Sequence, residues 1–352
     1  MNLNIALLPG DGIGPEVTAQ GVAILEAVCR KFSHSLEVKS GLIGGVAIRS
    51  TGDPLPADTV TLIKSAAAVL LGACGHPEFD SHPPEKRPEK GLLRLRQELR
   101  VFANLRPAFC YPALESLSPL RAEVVRGTDL VTVRELTGGM YYGTPRGIQE
   151  RDGEVTAINT MVYTKKEIER IARVAFGLAR GRKNHVMSVD KSNVLENSQL
   201  WRKTVTELAA REFPDVRLEH MLVDTCAMQL VQNPRRFDVL VTENLFGDIL
   251  SDETAVLTGS IGMLPSASLG EHTGLYEPVH GSAPDIAGKG IANPLGTILS
   301  VAMMLRHSFG LEKEAKAVED AVGKTVESGK LTRDLNGTAT TEEVGNAVIH
   351  AL

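Results

Sequence analysis

Short apolar runs of strand length, each closed by a turn residue or a carboxylate and followed by a stretch of helical period, constrain this chain more than any other feature. NIALLPG runs into the glycine turn of GDGIGPEV and then into a helix beginning near Pro15, whose fixed φ suits a first helical position. Ala19, Val22, Leu25 and Cys29 continue that helix in steps of three, three and four. LEVKSGLIG, a helix over 57–65 and the run AAVLLGAC repeat the rhythm, as do DLVTVRE and HVMSVD further on. Continuous apolar runs suit strands buried on both faces, and their alternation with helices marks a parallel sheet covered on both sides. An α/β fold follows. Gly10, Gly12 and Gly14 do not have the G-x-G-x-x-G spacing, and a strand-to-helix turn often needs glycines on its own account.

With 352 residues the chain can bury a large core, in two lobes or one large α/β unit. A formal net charge of -5 gives no general attraction to nucleic acid or to an anionic membrane, so any anion must be recognised locally. Cys29, Cys74, Cys110 and Cys226 lie apart with no C-x-x-C pair, which suggests neither a disulfide framework nor a zinc site and points to a reducing cytoplasm. The longest apolar runs are far too short to cross a bilayer, and the N-terminal residues lack a basic stretch followed by an apolar signal core.

The chemistry concentrates in FDVLVTENLFGDILSD, residues 237–252. The spacing predicts a buried strand over 237–242 that breaks at Glu243-Asn244 into a helix carrying Asp248 and Asp252. Carboxylates four residues apart share one helix face and repel, unless water screens them or a cation lies between them. Here the pair follows the carboxyl end of an apolar strand, where ligands bind in open α/β sheets. Asp224, at the end of the strand-like run LEHMLVD, is a candidate third oxygen ligand. Carboxylates without a neighbouring His or Cys set suit Mg²⁺ or Mn²⁺ rather than zinc.

Elsewhere the loop GHPEFDSHPPEKRPEKG is long for a compact unit and reads as ligand-side. The helix predicted over 89–102 places Glu89, Leu92, Leu93 and Arg96 on one stripe. Arg106 in NLRP and Arg134 at the end of DLVTVRE add two guanidinium groups, which bind carboxylates bidentately. Converging, the three would imply an anionic organic acid; singly, each reads as a surface ion pair. Asp152-Gly153 between short alternating stretches predicts a β-hairpin able to pair with a partner subunit. Helices are expected over 165–181, 201–212 and 297–309. The stretch 280–293 has no strong period and reads, on its own, as a surface loop.

Taken together and in this order, GDGIGPEV, RPEKGLLRLR with FANLRPA, RELTGGMYYG, SVDKSNVLE, VDTCAM, TENLFGDILSDE, GMLPSASLG and EPVHGSAPDIAGKGIANP resemble the metal-dependent β-decarboxylating dehydrogenases of the isocitrate/isopropylmalate type. The resemblance implies a two-domain fold with a parallel or mixed sheet, distinct from a simple Rossmann domain. The first domain would comprise 1–101 plus 259–352, on the cofactor side; the second, 102–258, would carry the dimer interface and the arm hairpin. It implies a homodimer with shared active sites. Asp248 and Asp252 of one subunit and the partner subunit's Asp224 would bind Mg²⁺ or Mn²⁺. Arg96, Arg106 and Arg134 would clamp the substrate carboxylates, with Leu92 and Leu93 against an isopropyl group and Glu89 toward the nicotinamide ribose. The partner subunit's Lys191 would remove the hydroxyl proton and Tyr141 would later protonate carbon. The loop holding His280, Gly281, Ser282, Ala283, Asp285, Ile286 and Asn293 would wrap adenosine. A carboxylate at Asp285 can accept the ribose hydroxyls but repels a 2′-phosphate, which implies NAD over NADP.

The implied reaction is NAD-dependent oxidative decarboxylation of (2R,3S)-3-isopropylmalate in leucine biosynthesis. Tartrate or malate, isocitrate and homoisocitrate are alternative substrates, and a non-catalytic regulatory subunit is an alternative of another kind. Arg94 and His76 depart from the family pattern, in which small residues are usual. Retention of Asp224, Asp248, Asp252, Lys191 and Tyr141 together argues against a regulatory subunit.

Overall fold

A computed structural model describes all residues, 1–352. The chain forms two units: Met1–Val101, Cys110–Ala122 and Ala255–Leu352 make one, Phe102–Phe109 and Glu123–Thr254 the other. This differs in two places from a division into 1–101 plus 259–352 and 102–258. Residues 110–122 belong to the first unit, because Leu114 is fully buried there and the backbone at Gly259 packs on Leu117. The return crossing comes at Ala255, where the helix Asn244–Leu257 is still running.

In the first unit, strands Ser35–Ser40, Asn2–Gly10, Ala68–Ala73 and Gly274–Pro278 lie side by side in parallel, and Pro265–Leu269 pairs antiparallel with the last of them. Ala68–Ala73 is buried along its whole length, as a continuous apolar run requires. The helix Gly14–Phe32 buries Val17, Ile24, Leu25 and Val28 completely, at about 1.5–3 kcal/mol per side chain. It begins with Pro15 in its first turn and ends at Ser33 in the left-handed conformation. The helix Ala57–Ser65 forms as the sequence predicts; the short helix Gly45–Thr51 before it lacks a legible period.

In the second unit, Asp129–Glu135, Val239–Thr242, His185–Asp190 and Arg217–Leu222 are parallel neighbours, with Ala103–Phe109 antiparallel on the other side of Asp129–Glu135. The helix expected over 89–102 stops at Glu98, because Arg100 takes a left-handed φ of 52° and the chain then extends into Ala103–Phe109. Lys165–Arg180 is set by a capping box, in which Thr164 accepts from Glu167 N and the Glu167 carboxylate accepts from Thr164 N. The helix expected over 201–212 starts earlier, at Glu196. Gly147–Arg151 and Glu154–Ile158 form the hairpin, with positive φ at Asp152 and Gly153 as a tight two-residue turn demands. The run at LEHMLVD ends as a strand at Leu222, so Asp224 stands in the first turn of the helix Val223–Gln232. No helix is long and apolar enough to cross a membrane.

Candidate active site

The second unit gathers one cluster around the start of the helix Asn244–Leu257. The strand before it ends at Thr242, and the Glu243 carboxylate then accepts from Leu245 N at 3.0 Å and Phe246 N at 2.7 Å, capping two otherwise unpaired donors. Glu243 is buried, and burial raises its pKa. Asn244 beside it is fully buried and saturated. Its amide nitrogen donates to Leu136 O and Gly138 O, both at 3.0 Å, and its oxygen accepts from Arg134 Nε at 3.1 Å and Nη2 at 2.8 Å. One side chain therefore fixes both the Arg134 guanidinium and the turn that leads to Tyr141.

Arg134 is only 2% exposed and also pairs through Nη1 with Asp248 Oδ1. Its aliphatic stem lies against Gly247, where a Cβ would come within 2.6 Å of Arg134 Cγ, so the glycine in LFGD is what lets the arginine reach past the helix. Arg106, also buried, donates through Nε to Asn104 Oδ1 at 2.9 Å and through Nη1 to Ser251 Oγ at 2.8 Å. The same Nη1 lies 3.2 Å from Asp252 Oδ1 and 3.6 Å from Asp248 Oδ1. The Tyr141 hydroxyl donates to the other oxygen, Asp248 Oδ2, at 2.8 Å. Burial, reinforced by that bond to a carboxylate, pushes the Tyr141 phenol up to about 12. Burial also raises the Asp252 pKa, against the lowering pull of Arg106 and with the charge of Asp248 adding to the rise.

These positions answer the surface ion-pair reading of Arg106 and Arg134: both are interior groups aimed at the Asp248–Asp252 pair. The donor set also fits a hard divalent ion. Its oxygens are carboxylate oxygens, and a cationic N–H already lies between the two side chains. No group of three Asp, Glu, His or Cys side chains able to hold a metal occurs within the single chain, so Asp224 does not join Asp248 and Asp252 there. Asp224 instead pairs with Lys191, whose Nζ donates to Asp224 Oδ1 at 2.7 Å and holds that carboxyl below its usual range. Lys191 follows directly on the strand His185–Asp190, and its backbone N donates to Ser198 Oγ at 3.2 Å.

The first unit holds the other candidates. On the helix Pro88–Glu98, Arg96 is buried and donates through Nη2 to Glu277 Oε1 at 3.0 Å, while Leu92 and Leu93 are half-buried. Arg94, five residues from Glu89, is rotated well away from the stripe of Glu89, Leu92, Leu93 and Arg96. Its Nη1 donates to Asp53 Oδ1 at 2.5 Å and its Nη2 to Leu55 O at 3.2 Å. His76 accepts from Glu78 N at 3.3 Å and caps a short turn.

Glu89 and Ser282 meet at Gly75, where a Cβ would lie 3.3 Å from Glu89 Oε1 and 3.6 Å from Ser282 Oγ. Gly75 is held by Asp11, a buried carboxylate that accepts from Gly75 N at 2.9 Å, and from Gly45 N and Val46 N at 2.8 Å each. Gly12 has φ +58°, and a Cβ there would collide with the Ser282 carbonyl. Close approach of two backbones therefore accounts for that glycine without a phosphate. Ile286 and Ala283 pack on Ile13, Val17 and Ala292, leaving Asp285 exposed. His280 Nδ1 lies 2.9 Å from Gly281 O, and its Nε2 is buried without a hydrogen-bond partner. Asn293 is buried, with its amide nitrogen on Asp334 Oδ2 at 3.0 Å and its oxygen accepting from Leu295 N at 3.0 Å. An orphaned imidazole nitrogen, the exposed Asp285 carboxylate, and Glu89 and Ser282 each beside Gly75, all in one unit, fit a polar, hydroxyl-bearing cofactor.

Sequence reasoning missed Asp11, Asn244, Ser251 and Glu277. Asp11 carried a signal, a lone carboxylate inside a glycine turn between an apolar strand and a helix; the others are polar residues whose partners lie far along the chain.

The chain as a whole is similar to known proteins. A relative from Oleidesulfovibrio alaskensis named 3-isopropylmalate dehydrogenase is 61% identical, over 95% of this chain and 94% of its own. One of the same name from Bacillus subtilis is 57% identical, over 99% and 98%. Among solved structures, an isocitrate dehydrogenase from Methylococcus capsulatus superposes with a TM-score of 0.88 at 37% identity, covering 99% of each chain. A β-decarboxylating dehydrogenase from Thermococcus kodakarensis gives 0.82 at 37% identity, covering 99% of this chain and 96% of that one. Residues 4–348 match the family described as isocitrate/isopropylmalate dehydrogenase, and the chain belongs to that family.

Proposed function

We propose that this enzyme oxidises and decarboxylates (2R,3S)-3-isopropylmalate with NAD⁺, giving 4-methyl-2-oxopentanoate, CO₂ and NADH in leucine biosynthesis. The observation that carries this choice of substrate is the stripe on Pro88–Glu98, where Leu92 and Leu93 share a face with Arg96 while the extra cation, Arg94, is engaged by Asp53. An alkyl group is favoured there and a third carboxylate is not. Relatives at 54–61% identity named 3-isopropylmalate dehydrogenase support the same choice.

Asp248 and Asp252, with the partner subunit's Asp224, would hold Mg²⁺ or Mn²⁺. When bound, the ion supplies Lewis acidity at the substrate's hydroxyl and neighbouring carboxylate oxygens. Arg96, Arg106 and Arg134 bind the substrate carboxylates. The partner subunit's Lys191, with its amine neutral, would accept the hydroxyl proton, and NAD⁺, which Glu89 would hold by the nicotinamide ribose, would supply the hydride acceptor. After CO₂ leaves, Tyr141 would deliver a proton to carbon; burial and the bond to Asp248 raise its pKa, which keeps the phenol protonated until that step. The loop of His280, Gly281, Ser282, Ala283, Asp285, Ile286 and Asn293 would hold adenosine, and the Asp285 carboxylate would accept from the ribose hydroxyls. Exposed Met228 and Val231 on one helix, Ile249 and Val256 on another, and Ile148 and Val155 on the hairpin support assembly as a homodimer.

The test is a panel of 3-isopropylmalate, isocitrate, malate and tartrate, each with NAD⁺ and NADP⁺. Three apolar carbons at about 0.8 kcal/mol each correspond to roughly 50-fold, so kcat/KM for 3-isopropylmalate with NAD⁺ should lead by at least about that factor. Isocitrate or NADP⁺ in the lead would discard the assignment. A family structure at 37% identity is named isocitrate dehydrogenase, which makes isocitrate the competitor to beat.

A further inference from the structure

Residues 280–293 contain neither helix nor strand, so tertiary contacts must fix their backbone. Three fastenings join them to the N-terminal turn and first helix. Ile13 N donates to Ser282 O at 2.8 Å. Ile13 and Val17 form an apolar patch with Ala292, Ala283, Ile286 and Ala287. The third is Glu16, half-buried in the first turn of Gly14–Phe32, whose Oε2 accepts from Gly290 N at 3.0 Å and whose Oε1 accepts from Gly288 N.

The loop needs such fastening. Ala283 has a φ of 40°, in the left-handed region, and directly precedes Pro284, which disfavours helical values in the residue before it. Strain of this kind persists only where the surroundings over-determine it. A carboxylate in the first turn of a helix is favourable for the helix dipole alone. That effect requires no distant partner, yet both Glu16 oxygens are committed to glycine N–H groups more than 270 residues away.

We propose that Glu16 is a positioning residue for dinucleotide binding, its carboxylate latching Gly288 and Gly290 so that the neighbouring Asp285 is presented to the adenosine ribose. The inference rests on the reading of 280–293 as the NAD loop. Without the latch the loop spends less time in the binding-competent arrangement, and apparent affinity falls by that fraction.

The experiment measures NAD⁺ affinity by calorimetry, steady-state constants, and backbone hydrogen exchange across 283–292 for wild type, Glu16→Ala and Glu16→Gln. Glu16→Ala should raise the NAD⁺ Kd and KM about tenfold and speed exchange at Gly288 and Gly290, while kcat at saturating NAD⁺ and KM for 3-isopropylmalate change less than about twofold. Glu16→Gln, which keeps one carbonyl acceptor, should fall between. Faster exchange with unchanged affinity would overturn the inference alone. Wild type that binds no NAD⁺ would overturn the reading of the loop and the inference with it.

Discussion

Asp248→Asn should lower kcat about a thousandfold and leave a folded protein. Asp248 is the side chain in the second unit on which Arg134, Arg106 and Tyr141 meet: Oδ1 faces Arg134 and Arg106, and Oδ2 accepts from Tyr141. Asparagine keeps the shape and one carbonyl acceptor but loses the negative charge. It is a poor ligand for a hard divalent ion, and it leaves Tyr141 with an amide in place of a carboxylate oxygen. Several kcal/mol of transition-state stabilisation are at stake, and about 4 kcal/mol is a thousandfold in rate. The cost to folding is smaller. The Asp248 side chain is about one-third exposed, and Arg134 keeps its two bonds to Asn244, so a loss of about 1–2 kcal/mol and a few degrees in Tm is expected. Steady-state kinetics beside a thermal melt separates the two effects. A variant that melts like wild type and retains more than a tenth of its kcat would remove Asp248 from the chemistry.

Lys191→Met should have an effect of the same order, about a thousandfold in kcat, the ordinary range for loss of a positioned general base. Methionine matches the length of the lysine stem and removes only the amine. In wild type that amine donates to Asp224 and keeps its carboxyl below the usual range; in the variant the Asp224 pKa should move back up. A structural role for Lys191 and a catalytic one differ in what the variant keeps. Loss of the base removes turnover while Tm and the KM for 3-isopropylmalate stay near wild type, whereas loss of a mere salt bridge moves Tm or KM with the rate. A folded variant that retains more than a tenth of the wild-type kcat would assign the proton transfer elsewhere.

The parts legible in the sequence are those whose physics is local. Val239–Thr242 running into Asn244–Leu257 shows itself as an apolar run followed by a helical period, and the four-residue step from Asp248 to Asp252 fixes a shared face. The hairpin turn at Asp152-Gly153 is equally local. Ala103–Phe109 was not legible, because Asn104, Arg106 and Pro107 break an apolar pattern; the Arg106 guanidinium is satisfied by Ser251 and Asp252, more than a hundred positions away. The allegiance of 110–122 to the first unit has no periodic signal either. Asn244 reads as a helix-start residue, and only the fold shows it holding Arg134. The pairing of Asp224 with Lys191, and not with Asp248, likewise depends on where strands lie in the sheet.

Dialysis of the purified protein against a strong chelator, followed by assay with 3-isopropylmalate and NAD⁺ before and after adding back Mg²⁺ or Mn²⁺, addresses the Asp224, Asp248 and Asp252 assignment most directly. Turnover should fall to background in the stripped enzyme and return with either ion in wild type, but not in Asp248→Asn at the same ion concentration. NADH formation at an undiminished rate in the fully stripped enzyme would contradict the role given to these three carboxylates.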